Sequence, residues 1–354
     1  MSITVLVRTL ALIFALVALL TAGARAEDAA AEEPAATDEI QLKNGSRVIG
    51  KVTDIRDGVV TLETDFAGTL SVALDQVVTM TTSEDTVLLL ADKTVIKEQG
   101  IEIRDARLIV GEPGAPVESI ALDQILVSDP ADWELGKGYN WTGLVSAALT
   151  VQRGNTDSDE LDFKLESYWR GLDDRFTLKA DAELDKSNGV KNADNWSVQG
   201  KYDYFISEHT YWGAALSVEA DEFKDLNERL VVGPYIGHDF FTDPLFTFTA
   251  EAGVSYVKED FEIAPDNEYP AANWFLRSTS DYLGGDSQLY FEQRGLWDLD
   301  DTTDVVIDST FGLAFPLLWS LEAAAEILWE YDSGAVEGVE ELDETYRFRI
   351  GYSW

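Results

Sequence analysis

The chain has 354 residues and no cysteine, and its 66 acidic against 26 basic side chains give a net charge of −40. Disulfide frameworks and thiolate metal sites are thereby excluded. So is a nucleic-acid partner, because phosphate binding needs clustered Lys and Arg, while the length allows two domains of ordinary size.

The first segment has the form of an export signal. Arg8 gives a weakly basic start, Leu10–Leu20 is an unbroken apolar run, and Ala24-Arg25-Ala26 supplies small residues for cleavage before Glu27. A retained anchor is the rival reading. The A-x-A site followed at once by a polar stretch favours a cleaved signal over residues 1–26, and residues 27–37 then form an acidic linker. No later segment approaches the ~20 continuous apolar residues that a membrane helix needs. If the mature chain spans a membrane, it does so with strands.

Residues 38–129 contain an internal duplication. Ile55-Arg56-Asp57 recurs as Ile103-Arg104-Asp105, and Ala73-Leu74-Asp75-Gln76 as Ala121-Leu122-Asp123-Gln124, with Leu42 falling on Leu90 and Val60 on Leu108. These matches share an offset of 48 residues, the signature of one structural unit used twice. Short β-branched runs alternate with turn signals such as Asn44-Gly45, Asp57-Gly58 and Gly111-Glu112-Pro113-Gly114. The pattern predicts two small SH3-like or roll-like β-units packed together. Asp75 and Asp123 could be paired carboxylates, but their place beside Gln in an apolar context assigns them to turn or edge hydrogen bonding.

From Tyr139 to Trp354 the pattern changes to long alternating segments, which predict about twelve antiparallel strands. In the last, Tyr346, Phe348, Ile350, Tyr352 and Trp354 oppose Arg347, Arg349, Gly351 and Ser353. Between the first and last, Phe163 and Leu165 oppose Lys164 and Glu166; Leu178 and Ala180 oppose Lys179 and Asp181; Tyr202 and Tyr204 oppose Lys201 and Asp203. Leu230 and Val232 face away from Arg229, Trp274 and Leu276 from Arg277, and Leu321 and Ala325 from Glu322 and Glu326. Arg294 falls on the charged side of its segment. Two segments are less clean, with Ser278, Ser280 and Gln293 sharing the apolar side. No Asp, Glu, Lys or Arg falls on the apolar side of the twelve segments as drawn. Lipid explains that exclusion, because a mid-depth Arg or Lys on a barrel's outer face costs about 2–4 kcal/mol. Tryptophans cluster at segment ends, as interfacial girdles do. Tight connections (172–174, 207–210, 242–244, 284–286, 316–318) alternate with longer acidic ones (186–193, 221–227, 258–270, 298–304, 332–343), and the expected arrangement is short periplasmic turns against long external loops.

Trp141–Phe163, especially Arg153-Gly154-Asn155-Thr156, together with the aromatic terminal strand, resembles the YdiY-like, salt-induced outer membrane protein family, whose biochemical role is not established. The likeness covers about residues 141–354 and not the duplicated region. It implies an outer-membrane location and supplies no catalytic residue. Tyr352 and Trp354 look like the terminal signal read by the barrel-assembly machinery, although Gly351 lies nearer the end than is usual for that signal.

The expected protein is therefore all-β: an outer-membrane barrel with a periplasmic β-domain, which could bind cell wall or another periplasmic protein. Its other partners are membrane lipid and lipopolysaccharide, the latter bridged by cations on the acidic loops. Lumen-facing candidates are Lys164, Glu166, Lys179, Asp181, Lys201, Asp203, Arg229, Arg277, Arg294, Glu322, Glu326, Arg347 and Arg349. Paired, these charges would fill the barrel and make it a structural or stress-associated envelope element; if space remained, their acid excess would favour a narrow cation-preferring pore. A membrane-embedded lipid hydrolase is the distant third, since the only histidines, His209 and His238, have no obvious Ser partner beyond Ser278 and Ser280. Asn155, Asp157 and Asp159 resemble the start of a calcium loop but lack its glycine and distal Glu. No catalytic residue, cofactor or metal is expected.

Overall fold

A computed structural model describes residues 38–56, 58–82, 84–98, 100–110, 118–152, 158–243, 245–284, 287–336 and 339–354. The proposed signal and linker, the Gly111-Glu112-Pro113-Gly114 turn and the Arg153-Gly154-Asn155-Thr156 motif lie outside them. Two compact units divide at Pro130. No helix among the described residues is long and apolar enough to cross a membrane.

The first unit is one eleven-stranded antiparallel sheet. Its strands are β1 (Asp38–Leu42), β2 (Arg47–Arg56), β3 (Val59–Thr64), β4 (Gly68–Ala73), β5 (Val77–Thr81), β6 (Thr86–Leu90), β7 (Val95–Glu98), β8 (Glu102–Arg104), β9 (Arg107–Val110), β10 (Glu118–Ala121) and β11 (Ile125–Ser128). Elements recur at the 48-residue offset, including the single 3-10 turns Leu74–Gln76 and Leu122–Gln124. The two copies are interlaced rather than packed side by side. Within each copy the first strand pairs the last, β1 with β5 and β6 with β11. Between copies β2 pairs β11 and β5 pairs β8. Matched residues, Ile40 with Leu88, Ile55 with Ile103, Val60 with Leu108 and Leu74 with Leu122, lie in a single core. Such interlacing lets each short copy bury apolar surface that it could not cover alone. Asp75 and Asp123 sit exposed on the 3-10 turns, each accepting from its own neighbour, Gln76 or Gln124.

The second unit is a closed antiparallel barrel of twelve strands in sequence order. These are β12 (Asn140–Gln152), β13 (Ser158–Arg170), β14 (Asp174–Ser187), β15 (Val190–Phe205), β16 (Thr210–Asp221), β17 (Leu226–Asp243), β18 (Phe246–Phe261), β19 (Asn267–Ser280), β20 (Gln288–Asp298), β21 (Val305–Pro316), β22 (Leu321–Asp332) and β23 (Leu342–Ser353). Closure comes from β12 against β23, a ladder running from Leu144↔Ser353 to Ala147↔Ile350. Large apolar side chains stand open on the outer face, among them Trp212, Leu216, Ile236, Val254, Phe348 and Ile350. Such a surface is far beyond what a water-facing barrel carries.

Loop lengths differ from the expectation. Residues 186–193 are not a long loop: β14 and β15 continue to a tight hairpin turn at Asn188-Gly189, both with positive φ, the pairing that a two-residue hairpin requires. At the opposite end, 281–287 is longer than expected. The two ends are thus not cleanly sorted into short and long. The reason is that several strands run past the apolar band, where Asp194, Lys258 and Glu268 take the outward parity. Charge on both parities there had the appearance of loop.

Candidate functional site

The lumen is the chemically distinctive part of the molecule, and strand alternation builds it. Ladder register carries the inward parity around the ring, with shifts only towards strand ends: Lys164 stands opposite Asp181, Glu166 opposite Lys179, and Arg229 opposite both Glu219 and Glu259. All thirteen sequence candidates share this parity. Contacts between neighbouring strands together with others across the barrel gather most of them into four clusters.

In the first, Arg175 Nε donates to Asp203 Oδ2 at 2.7 Å, and Tyr235 also donates to Asp203, which is wholly buried. The Arg175 guanidinium lies 4.9 Å from the Tyr211 ring centre. In the second, Lys201 pairs with Glu251 at 2.5 Å while Tyr211 Oη donates to the other carboxylate oxygen at 2.7 Å. Tyr211 can lie there because Gly237 is beneath it: a Cβ at that glycine would come within 2.3 Å of the ring.

The third cluster joins non-adjacent strands. Lys179 on β14 meets Glu292 on β20 at 3.0 Å, and Arg277 on β19 meets Glu292 at 2.8 Å and donates to Tyr168 Oη on β13 at 3.1 Å. Lys164 lies 3.2 Å from Glu166 and 3.7 Å from Glu326; Arg349 Nε and Tyr290 Oη also donate to Glu326, at 2.8 and 2.6 Å. The fourth is centred on Arg229, which reaches Glu219 (2.8 Å), Glu259 (2.6 Å) and Asp332 (3.6 Å). Arg294 links Glu219 to Asp308, Lys224 meets Glu330, and Arg347 bridges Asp162 and Glu183. Asp181 and Glu322 share the inward parity but form no ion pair among the described residues.

Paired burial is what makes such an interior tolerable. Each desolvated ion costs several kcal/mol, and the Coulomb gain of a good partner with further hydrogen bonds roughly offsets it. Tyrosine hydroxyls supply many of those extra bonds. Glu219, Glu251, Glu259 and Glu292 are essential members absent from the candidate residues, as are Tyr168, Tyr211, Tyr235, Tyr269 and Tyr290. Counting by twos along one strand reaches Tyr168 from Lys164, Tyr235 from Arg229, Tyr269 from Arg277, and Tyr290 and Glu292 from Arg294, whereas Tyr211, Glu219, Glu251 and Glu259 lie on β16 and β18, which carry none of the thirteen candidates; tyrosine's apolar look in sequence hides its role as lumen donor. A cavity of about 320 Å³ remains beside the third cluster, lined by residues that include Ser146, Lys164, Arg277, Glu322 and Arg349.

Among the described residues no comparable chemistry gathers elsewhere. His238 Nδ1 lies 2.9 Å from Thr210 Oγ1. Ser278 and Ser280, on β19, are separated from β17 by the whole of β18, roughly 10 Å at the usual strand spacing, so no Ser–His pair is assembled there. The side chains of Asn155, Asp157 and Asp159 lie outside the described residues. Among those described, no group of three or more His, Asp or Glu side chains is arranged to hold a metal ion. Tyr352 and Trp354 face outward at the β12–β23 junction, where Trp354 packs edge-on against Trp141 and Trp141 stacks on Trp169.

Among solved structures the chain is similar to the NanC porin, at 12% identity and a TM-score of 0.38, over 61% of this chain and 99% of that one. It is also similar to the translocator domain of the autotransporter NalP from Neisseria meningitidis (12% identity, TM-score 0.34, 62% and 88% covered). A third is the outer membrane channel DcaP of Acinetobacter baumannii (11% identity, TM-score 0.28, 90% and 94% covered). No curated protein matches the chain. The model of a family of proteins of unknown function, DUF481, matches residues 145–354, well over half of the chain, and the protein belongs to that family.

Proposed function

We propose that this protein is an outer-membrane barrel with an occluded, ion-paired lumen, serving the architecture of the envelope without catalysis and anchoring its N-terminal β-unit in the periplasm. The membrane assignment is supported by the exposed apolar outer face, with Leu216 at 49%, Val254 at 56% and Phe348 at 62% exposure. Lipid removes from water a surface that no protein element covers. An even number of strands brings both barrel ends to one side, the side reached by an exported N-terminal unit. The aromatic cluster of Trp141, Trp169, Tyr352 and Trp354 then marks an interface and gives the assembly machinery its terminal strand. A stress-associated role is the one that the YdiY-like resemblance implies.

The observation that carries occlusion is the set of bridges between non-neighbouring strands: Lys179–Glu292, Lys201–Glu251, Arg229–Asp332 and Arg294–Glu219. Side chains joined across a barrel occupy the path that a permeating ion would take. Planar-bilayer recording of the purified, folded protein tests this. The expected result is no unitary current in about 1 M KCl. Discrete cation-selective steps would replace occlusion with the narrow pore, for which the acid excess of the lumen would supply the selectivity.

A further inference from the structure

The cavity beside the third cluster contains a mismatch that the ion pairs leave unresolved. Arg349 uses Nε on Glu326, and its Nη1 is buried without a hydrogen-bond partner. Ser146 Oγ is buried and unpartnered too, and both residues are only 3% exposed. The Glu322 side chain lines the same cavity and, among the described residues, makes neither a hydrogen bond nor an ion pair. Register explains how the three come together. Gly351 on β23 lies between Ser146 on β12 and Glu322 on β22, opposite both, and Arg349 is the next inward residue. Close packing at this point excludes any side chain at Gly351, since a Cβ there would stand 2.9 Å from Ser146 Cβ and 2.8 Å from Leu144 Cδ1.

A bare anion would satisfy Arg349 and Ser146 but would face the carboxylates of Glu322 and Glu326. A bare cation would suit Glu322 and leave the two donors orphaned, which buried donors rarely are. We propose that the niche binds a small zwitterion, with its oxyanion on Arg349 Nη1 and Ser146 Oγ and its ammonium on Glu322. The space, about 320 Å³, admits a molecule the size of an amino acid. The inference rests on the lumen's holding its contents rather than passing them, and conductance tests that separately.

The same charge pair occurs in a soluble amino acid and in an ethanolamine phospholipid head group, and parallel titrations separate the two. Folded full-length protein in detergent is titrated calorimetrically with L-alanine, with its half-molecules acetate and ethylammonium, and with dihexanoyl-phosphatidylethanolamine. Saturable binding of alanine or of the lipid is expected, each half-molecule binding at least about tenfold more weakly, as loss of one charge-assisted hydrogen bond implies. Glu322→Gln should weaken binding of the zwitterion about tenfold and leave acetate unchanged or tighter, with heat-modifiable gel mobility confirming that the barrel is intact. Saturation by alanine assigns a soluble ligand, and saturation by the lipid alone assigns a head group. Equal binding of zwitterion and half-molecule, or no saturation by any probe, overturns the proposal.

Discussion

The two units of this chain obey one rule with opposite signs. In the N-terminal sheet the alternating apolar side chains turn inward, where Ile40, Leu62, Met80 and Leu88 are fully buried, and the charged ones, Asp38 excepted, face out. In the barrel the charges turn inward, Asp203, Arg229, Glu259 and Glu326 among them, and the apolar side chains face out. A strand's period says that its faces differ; it does not say which face is the inside. The surrounding solvent decides, water for one unit and, on the proposed reading, lipid for the other.

The sharpest way to break this contrast is to place a charge in each interior. Leu88→Asp puts an unpaired carboxylate into a dry core and should cost ~5 kcal/mol, enough to unfold the N-terminal unit. Hydrogen exchange in the full chain would show protection lost at Ile55 and Ile103, with β12–β23 unchanged. The converse experiment removes a charge from the lumen. Arg229→Met leaves Glu219 and Glu259 buried without their shared cation, and should cost about 3–5 kcal/mol in urea unfolding of the barrel from vesicles. Adding Glu219→Gln and Glu259→Gln should restore most of that loss, because neutral partners need no cation.

A smaller effect separates the two exteriors. Ile49 and Leu216 are almost equally exposed, at 47% and 49%. Arginine at Leu216 should cost about 2–4 kcal/mol in a bilayer, whereas arginine at Ile49 should stay within about 0.5 kcal/mol. Equal tolerance at the two positions would remove lipid from the outer face of the barrel. The smallest effect is one of pH. Asp304, in the connection between β20 and β21, is pushed up to about 6 by burial and by the carboxylates of Asp332, Glu259 and Asp298. A carboxyl raised in the folded state favours folding while protonated. Its contribution is therefore complete below the ordinary carboxylate range, near pH 4, and lost as pH rises through about 6. Asp304→Asn should flatten the stability profile of the barrel between those limits.

Much of this was legible in the residues because strand alternation is a local property. The fit at β23 needs only Tyr346 through Trp354, and the segment 319–331, whose Ala, Glu and Leu suit a helix, is settled as β22 by its alternating aromatics. The 48-residue repeat was equally visible. Interlacing of the copies was not, since pairing of β2 with β11 and β5 with β8 depends on how two similar edges choose partners. The hairpin at Asn188-Gly189 was hidden by Lys186 and Lys191, polar residues that continue the ladder beyond the apolar band. Lys179 and Glu292 stand 113 positions apart, and Arg347 and Glu183 stand 164 apart; no window of sequence relates them.

The sequence by itself determined the period, the polarity of each strand face and the number of strands, because each follows from side chains a few residues apart. Closure into a ring decided the rest. Shear and register set which inward charge meets which across the lumen, where a glycine leaves room for a tyrosine, and which buried donors at β12 and β23 are left without a partner. Those are matters of distance between remote strands, and a linear chain carries them only once it is folded.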